Sequence, residues 1–464
     1  MTGTLQRSRY NSFVRRADGI VGFNARTGTF AVFSAAVAAW LDSTGQIPDP
    51  GDDDVAALVD MGFLHRGDEL QLIAERYFGH PSAAGHLTLT LAPTMACNRS
   101  CSYCYQNEYR TSHRMSSETQ EAVCRLAAQE VGRGRTQVRC TWFGGEPLLA
   151  TDIVLDLSRR LRHRIEQAGG TFLPMTIITN GVLLDEATAR ALADAGVARA
   201  QISFDTLIDD RTDRRGVIQP DGRPSIILRN AITAASILEL GIRLNVTRST
   251  TAEMARILEV LREHKLEDRL SLARAEDFDG EAGALTAPSG TRYKPDRKII
   301  PLIQRDADIL SRVEFARHEL AVDQTKPGFL DEVQQRLTPP SGGFCGATNG
   351  TMLVIDPDGD ISRCWNSAGV KSESIGNVNA IAPTPEQLEA EHQWSGYTPF
   401  RYASCASCRV LPLCRGGCSH PRLFAGAQSS PCESIKFVIG QYVEFVGSRI
   451  ELAAEEVTEE VACE

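Results

Sequence analysis

Three cysteines within eight residues, Cys97, Cys101 and Cys104 in Ala-Cys-Asn-Arg-Ser-Cys-Ser-Tyr-Cys-Tyr, constrain this chain more than any other feature. They follow a strand-like run, Leu87 to Leu91, so three thiols share one tight loop at a strand's end. Three thiolates can hold a four-iron cluster and leave one iron open. An open iron is a site for chemistry, whereas a cluster with four cysteines normally only moves electrons. A zinc loop or a set of buried thiols would use the same residues, and the spacing alone leaves both readings open.

The second half of the chain adds to this. Cys345 is followed by Gly359 and Cys364, then by Cys405, Cys408, Cys414 and Cys418, with Cys432 beyond. Four cysteines packed into 14 residues are not accidental core filling. Paired cysteines also build zinc ribbons, so this fragment taken alone divides between zinc and iron-sulfur. Cys124 and Cys140 lie in helix and strand patterns and read as core thiols, and Cys463 sits in an acidic tail and reads as no ligand.

Length and composition fit a large enzyme: 464 residues imply two to four domains. A net charge of −10 with no basic stripe argues against nucleic acid as a partner. The first residues lack the apolar stretch of a signal peptide. The longest apolar run, Phe30 to Leu41, is too short to span a bilayer. The expectation is therefore a cytoplasmic protein without membrane contact, in which clustered thiols mean metal more often than disulfide.

By pattern, residues 1–83 form a small α+β domain, with strands over Tyr10 to Val14, Gly19 to Asn24 and Thr29 to Phe33. Two short helices follow, around Ser34 to Leu41 and Asp53 to Met61. Over 84–290 strands and helices alternate, which favours a parallel sheet. The six strands are His86 to Leu91, Gln137 to Phe143, Pro174 to Thr179, Arg199 to Phe204, Gly241 to Val246 and Leu270 to Ala273. A capping box from Ser117 to Gln120 is expected to open the helix Ser117 to Val131. The fold class expected is α/β, a partial (β/α)6 barrel. A helical bridge over 291–340, a loop-rich C-terminal iron-sulfur domain over 341–435 and a helix with an acidic tail over 436–464 complete the chain.

In parallel α/β barrels chemistry gathers at the C-terminal ends of the strands. Each distinctive motif falls there: the cysteine loop after strand one, Gly144-Gly145-Glu146-Pro147 after strand two, Thr179-Asn180-Gly181 after strand three, and Ser203-Phe204-Asp205 after strand four. The glycine pair lets backbone approach a ligand closely.

With these motifs the chain resembles the radical S-adenosylmethionine enzymes that carry a C-terminal twin-cluster extension of the SPASM type, over about residues 85 to 435. The resemblance implies that Cys97, Cys101 and Cys104 are ligands of a catalytic [4Fe-4S] cluster whose open iron chelates S-adenosylmethionine. It implies that Gly144, Gly145 and Glu146 receive the methionine amino group, that Asn180 and Ser203 contact the ribose, and that Arg215, or else Arg214, lies near the ligand carboxylate. Tyr103 occupies the aromatic slot beside adenine. One auxiliary cluster is assigned Cys405, Cys408, Cys414 and Cys432, and the other Cys345, Cys364 and Cys418, which makes three [4Fe-4S] clusters and leaves one auxiliary ligand unassigned. The implied chemistry is one-electron cleavage to a 5′-deoxyadenosyl radical, fed by a reductant such as flavodoxin or ferredoxin, and abstraction of a substrate hydrogen.

The N-terminal unit resembles in pattern the small domains by which peptide maturases hold a leader peptide, often as an added strand. The expected function is a radical maturase that cross-links or oxidises side chains of a ribosomal precursor peptide. The alternatives are a sulfatase-type maturase making formylglycine and a non-catalytic iron-sulfur electron-transfer protein. Sulfatase maturases typically carry an aspartate after the cysteine aligned with Cys364, and here Trp365 stands in that place.

Overall fold

The structure is a computed structural model that describes residues 4–15, 19–43, 52–78, 85–101, 104, 106–211, 213–246, 248–274, 329–340, 345–424, 435–436 and 439–449. Its centre is a large mixed sheet. Six strands follow one another across it in chain order, all parallel: His86–Leu91, Gln137–Trp142, Met175–Thr179, Val197–Phe204, Glu239–Val246 and Leu270–Arg274. The intervening helices pack on this sheet, and right-handed crossovers between successive neighbours put such helices on one face. Trp142 and Leu157 are fully buried in one core with Leu89, Ile177, Ile202 and Ile242. Cys124 and Cys140 belong to that core and lie far from solvent; burial pushes the Cys124 thiol up to about 11.

The helix Ser117–Gly132 starts one residue earlier than the expected capping box requires. Ser116 is the cap, and its hydroxyl accepts from the Thr119 N–H at 3.1 Å. Thr119 then sits in the third helical position, where the reciprocal Glu or Gln of a capping box is missing.

The sheet does not stop at His86–Leu91. A short strand from the cysteine-rich region, Met352–Ile355, pairs parallel with it, and Asp360–Ser362 and Gly376–Asn377 extend the sheet antiparallel. Gly359 makes the hairpin between the first two of these, with φ at 85°, where an added Cβ would meet Asn379 at 2.7 Å. This is the turn that sends the chain from the sheet to Cys364. The first described strand of the cysteine-rich region thus belongs to the main sheet.

The N-terminal unit has the three expected strands as an antiparallel meander, Asn11–Arg15, Ile20–Asn24 and Thr29–Phe33. Helices Ala35–Asp42 and Asp52–Asp60 follow as expected, and a third helix, Glu69–Phe78, was not anticipated. That helix buries Glu69, Ile73 and Tyr77, one side chain per turn. Glu69 is tolerated inside because Ser8, the Arg9 N–H and Arg26 all donate to its carboxylate. Tyr10, Phe23 and Tyr77 share a core with Val410, Leu411, Tyr442 and Val443, so the unit is packed against the cysteine-rich region and the C-terminal helix. The Tyr77 hydroxyl donates to the Pro412 carbonyl at 2.9 Å.

Candidate active site and cluster centres

The cysteine loop leaves the first strand at Ala92 and is tied down on two sides. Arg99 inside it forms a buried two-pronged ion pair with Asp209 beyond the fourth strand, at 2.9 and 3.2 Å. The Asn107 side chain donates to the Cys101 carbonyl at 2.9 Å. Neither tether was singled out from sequence; an arginine between two loop thiols was the available signal. Cys101 is 8% exposed, and Cys97 and Cys104 are half-buried. Burial pushes the Cys101 thiol up to about 11, opposed by the nearby Arg215 guanidinium, and also raises Cys97. All three thiols are free and close enough to act on one another electrostatically.

Gly144 and Gly145 lie against this loop. A Cβ on Gly144 would meet the Thr94 carbonyl at 2.4 Å, and one on Gly145 the Ala96 carbonyl at 2.2 Å. The close approach that the glycines permit is thus to the protein's own cysteine loop, clamped further by the Glu146 N–H on Ala96 at 2.8 Å.

The Glu146 side chain has no exposed surface. Its carboxylate accepts from the Thr179 hydroxyl at 2.7 Å, the Asn180 N–H at 2.7 Å and the Leu148 N–H at 3.0 Å. Burial raises its pKa against the pull of those donors. Through these bonds Glu146 joins the ends of the second and third strands. Asn180 continues the link. Its side-chain amide donates to Asn98 at 2.7 Å and lies 3.8 Å from the Cys97 sulfur.

Ser203 is buried near the end of the fourth strand, two residues before Asp205. Arg215 grips Asp205 through Nε at 2.8 Å and Nη2 at 3.0 Å, and Asn245 donates to the same carboxylate at 2.9 Å. Arg215 therefore stands at the rim beside Cys101 with its charge balanced by a buried aspartate. Tyr103 and Cys432 lie outside the described residues.

The remaining cysteines gather in two groups. Cys405, Cys408 and Cys414 line one cavity together with Arg422 and Lys436. The chain turns from Cys414 to Cys418 through three left-handed residues, Arg415, Gly416 and Gly417, with φ of 54°, 87° and 74°. Cys364, with Cys345 and Cys418 near enough to act on it, is pushed up to about 12 by burial. Among the described residues no three Cys, His, Asp or Glu side chains converge tightly enough to share one metal ion. A cluster of several irons takes a wider ring of thiols, and thiols around a cavity beside Arg422 donors with no partner among the described residues fit that kind of group. Trp365 is 43% exposed and packs against Phe143 with ring centroids 6.1 Å apart, at the end of the second strand. Among the described residues no helix is long and apolar enough to cross a membrane.

Residues 91–271 match the Radical SAM superfamily. The chain is 36% identical over 157 residues to a GTP 3′,8-cyclase of Erythrobacter litoralis, which is 34% of this chain and 44% of that protein, so it spans under half the length of that relative. It is 27% identical over 339 residues to the PqqA peptide cyclase of Rhodopseudomonas palustris, 72% of this chain and 81% of that one. A solved structure of native anSMEcpe with bound AdoMet and Cp18Cys peptide shares the fold with a TM-score of 0.54 at 16% identity, over 78% of this chain and 99% of the other.

Proposed function

We propose that this chain, whose residues 91–271 match the Radical SAM superfamily, is a maturase that cross-links or oxidises side chains of a ribosomally made peptide. The observation that carries this reading is the pair of extra thiol groups. Cys405, Cys408 and Cys414 surround one cavity, Cys345, Cys364 and Cys418 lie near one another, and both groups belong to a region packed on the sheet and on the N-terminal unit. The similarity to PqqA peptide cyclase over 72% of the chain supports a peptide substrate.

In this reading the six parallel strands form a partial barrel wall. Cys97, Cys101 and Cys104 hold the catalytic cluster, and Gly144, Gly145 and Glu146 form the segment that receives the methionine amino group. Asn180 and Ser203 border the ribose, Tyr103 the adenine, and Arg215 the carboxylate. Cluster and S-adenosylmethionine supply hydrogen-atom abstraction when bound. The protein's part is to fix the rim, exclude water and present one C–H bond. Cys405, Cys408, Cys414 and Cys432 hold one auxiliary cluster, and Cys345, Cys364 and Cys418 the other. The meander strand Thr29–Phe33 has no strand partner on its outer edge among the described residues, which suits a leader peptide added as a further strand. The sulfatase-type alternative is weakened at Trp365, an apolar ring where those enzymes carry an acid.

The test is mass spectrometry of a precursor peptide co-expressed with this protein. The expected product is lighter by two hydrogens per linkage, and Cys97→Ala, Cys101→Ala and Cys104→Ala together abolish both that change and reductive formation of 5′-deoxyadenosine while auxiliary iron remains. An unchanged peptide mass, with clusters filled and cofactor cleavage active, would point to a non-peptide substrate.

A further inference from the structure

Arg422 is 9% exposed, on the short helix His420–Phe424 that follows the last of the closely spaced cysteines. Its guanidinium stacks on the Tyr402 ring at 4.2 Å, and one nitrogen, Nη2, lies 3.3 Å from the Cys405 sulfur. The other two nitrogens, Nε and Nη1, are buried with no hydrogen-bond partner among the described residues. An arginine cannot shed its proton in a protein, so a buried guanidinium with idle donors and no carboxylate bonded to it among the described residues carries a large solvation cost. Arg422 lines the cavity that Cys405, Cys408 and Cys414 surround, and Lys436 lines it too. A buried guanidinium with idle donors on the wall of a thiol-lined cavity calls for an anion within it.

We propose that Arg422 is a positioning residue for the auxiliary cluster at Cys405, Cys408 and Cys414, donating to its sulfurs and raising its reduction potential; this rests on the auxiliary-cluster reading above. The sign follows from charge. Reduction adds one electron to an already anionic thiolate-bound group, and a fixed cation in a poorly screened site stabilises the reduced form more than the oxidised one. Hydrogen bonds to cluster sulfurs act in the same direction. Tyr402 holds the plane of the guanidinium, so the effect depends on geometry as well as charge.

The experiment uses the full chain carrying Cys97→Ala, Cys101→Ala and Cys104→Ala, reconstituted anaerobically with iron and sulfide and titrated with dithionite under EPR. In this background Arg422→Gln should move one of the two reduction waves to more negative potential and leave the other in place. Arg422→Lys, which keeps the charge but not the planar fork, should move the same wave by less. Loss of about four irons in Arg422→Gln with retention in Arg422→Lys would also support the proposal, because the charge is then what holds the cluster. Equal loss of iron in both variants, an unmoved wave with iron intact, or an equal shift of both waves would overturn it. A parent protein without auxiliary iron would instead defeat the auxiliary-cluster reading itself.

Discussion

The backbone N–H of Asn180 donates to the Glu146 carboxylate at 2.7 Å, while the Asn180 side chain reaches to within 3.8 Å of the Cys97 sulfur. One residue thereby connects the ends of the second and third strands to the first loop thiol. The rim is a hydrogen-bonded unit, and a change behind it is felt at the cysteines in front.

Removing the Glu146 carboxylate should therefore show first as lost stability. Glu146→Ala leaves the Asn180 and Leu148 N–H groups and the Thr179 hydroxyl without their acceptor in a buried site, costing on the order of 3 kcal/mol. Chemical denaturation of the cluster-free protein measures it. A wild-type midpoint, with S-adenosylmethionine binding alone impaired, would show that the side chain acts on the ligand directly.

Gly145→Ala tests the contact between the strand-two turn and the cysteine loop. The new methyl would stand 2.2 Å from the Ala96 carbonyl, a backbone atom that cannot swing aside. We expect a loss of at least about 2 kcal/mol and a fall in iron bound at Cys97, Cys101 and Cys104, read by iron assay in a protein that retains its auxiliary clusters. Full iron and normal cofactor cleavage would refute the clash.

Asp356 makes the hairpin before Cys364 sensitive to pH. Burial, reinforced by Asp360 and Asp358, raises its carboxyl from the ordinary 3.8 to about 7, against the pull of the Asp358 and Asp360 N–H groups. Among the described residues, His113 and Lys371 meet these acids at Asp358, at 3.5 and 3.9 Å. Since the folded protein holds this proton more tightly than the unfolded chain, the stabilisation is complete below about pH 4 and is lost as pH rises through about 7. Asp356→Asn should flatten the slope of the urea midpoint between about pH 4 and 7, and parallel slopes for the two proteins would count against it.

The exposed edge of the N-terminal meander gives a prediction about substrate. Val32 is 52% exposed on Thr29–Phe33, and Val32→Glu should raise the apparent peptide KM about tenfold, a loss of ~1.4 kcal/mol in binding. Uncoupled cofactor cleavage should stay at its wild-type rate, because its proposed residues all lie beyond residue 90. A point substitution is preferable to deleting the unit, whose Tyr10, Phe23 and Tyr77 share a core with Leu411 and Val443. An unchanged KM would remove this edge as the leader-binding surface.

What the sequence determined by itself is local. Alternating apolar positions and turn residues marked all six parallel strands to within two residues at either end, because side-chain period and glycine turns depend on neighbours in the chain. Thiol spacing within single loops was visible for the same reason. Only the tertiary structure decided what each local piece would touch. The strand Met352–Ile355 carries no mark of which edge it joins, and it settled beside His86–Leu91, more than 250 residues earlier, because that edge offered unpaired backbone groups. Glu146 carries a charge whose partners the sequence does not name, and the fold brings the Thr179 hydroxyl and Asn180 N–H to it from the end of the third strand. Arg422 looked like one arginine among many until burial left its donors with only a thiol-lined cavity to face. Contacts between residues far apart in the chain depend on the packed whole, where the cost of leaving a polar group unpaired selects the partner.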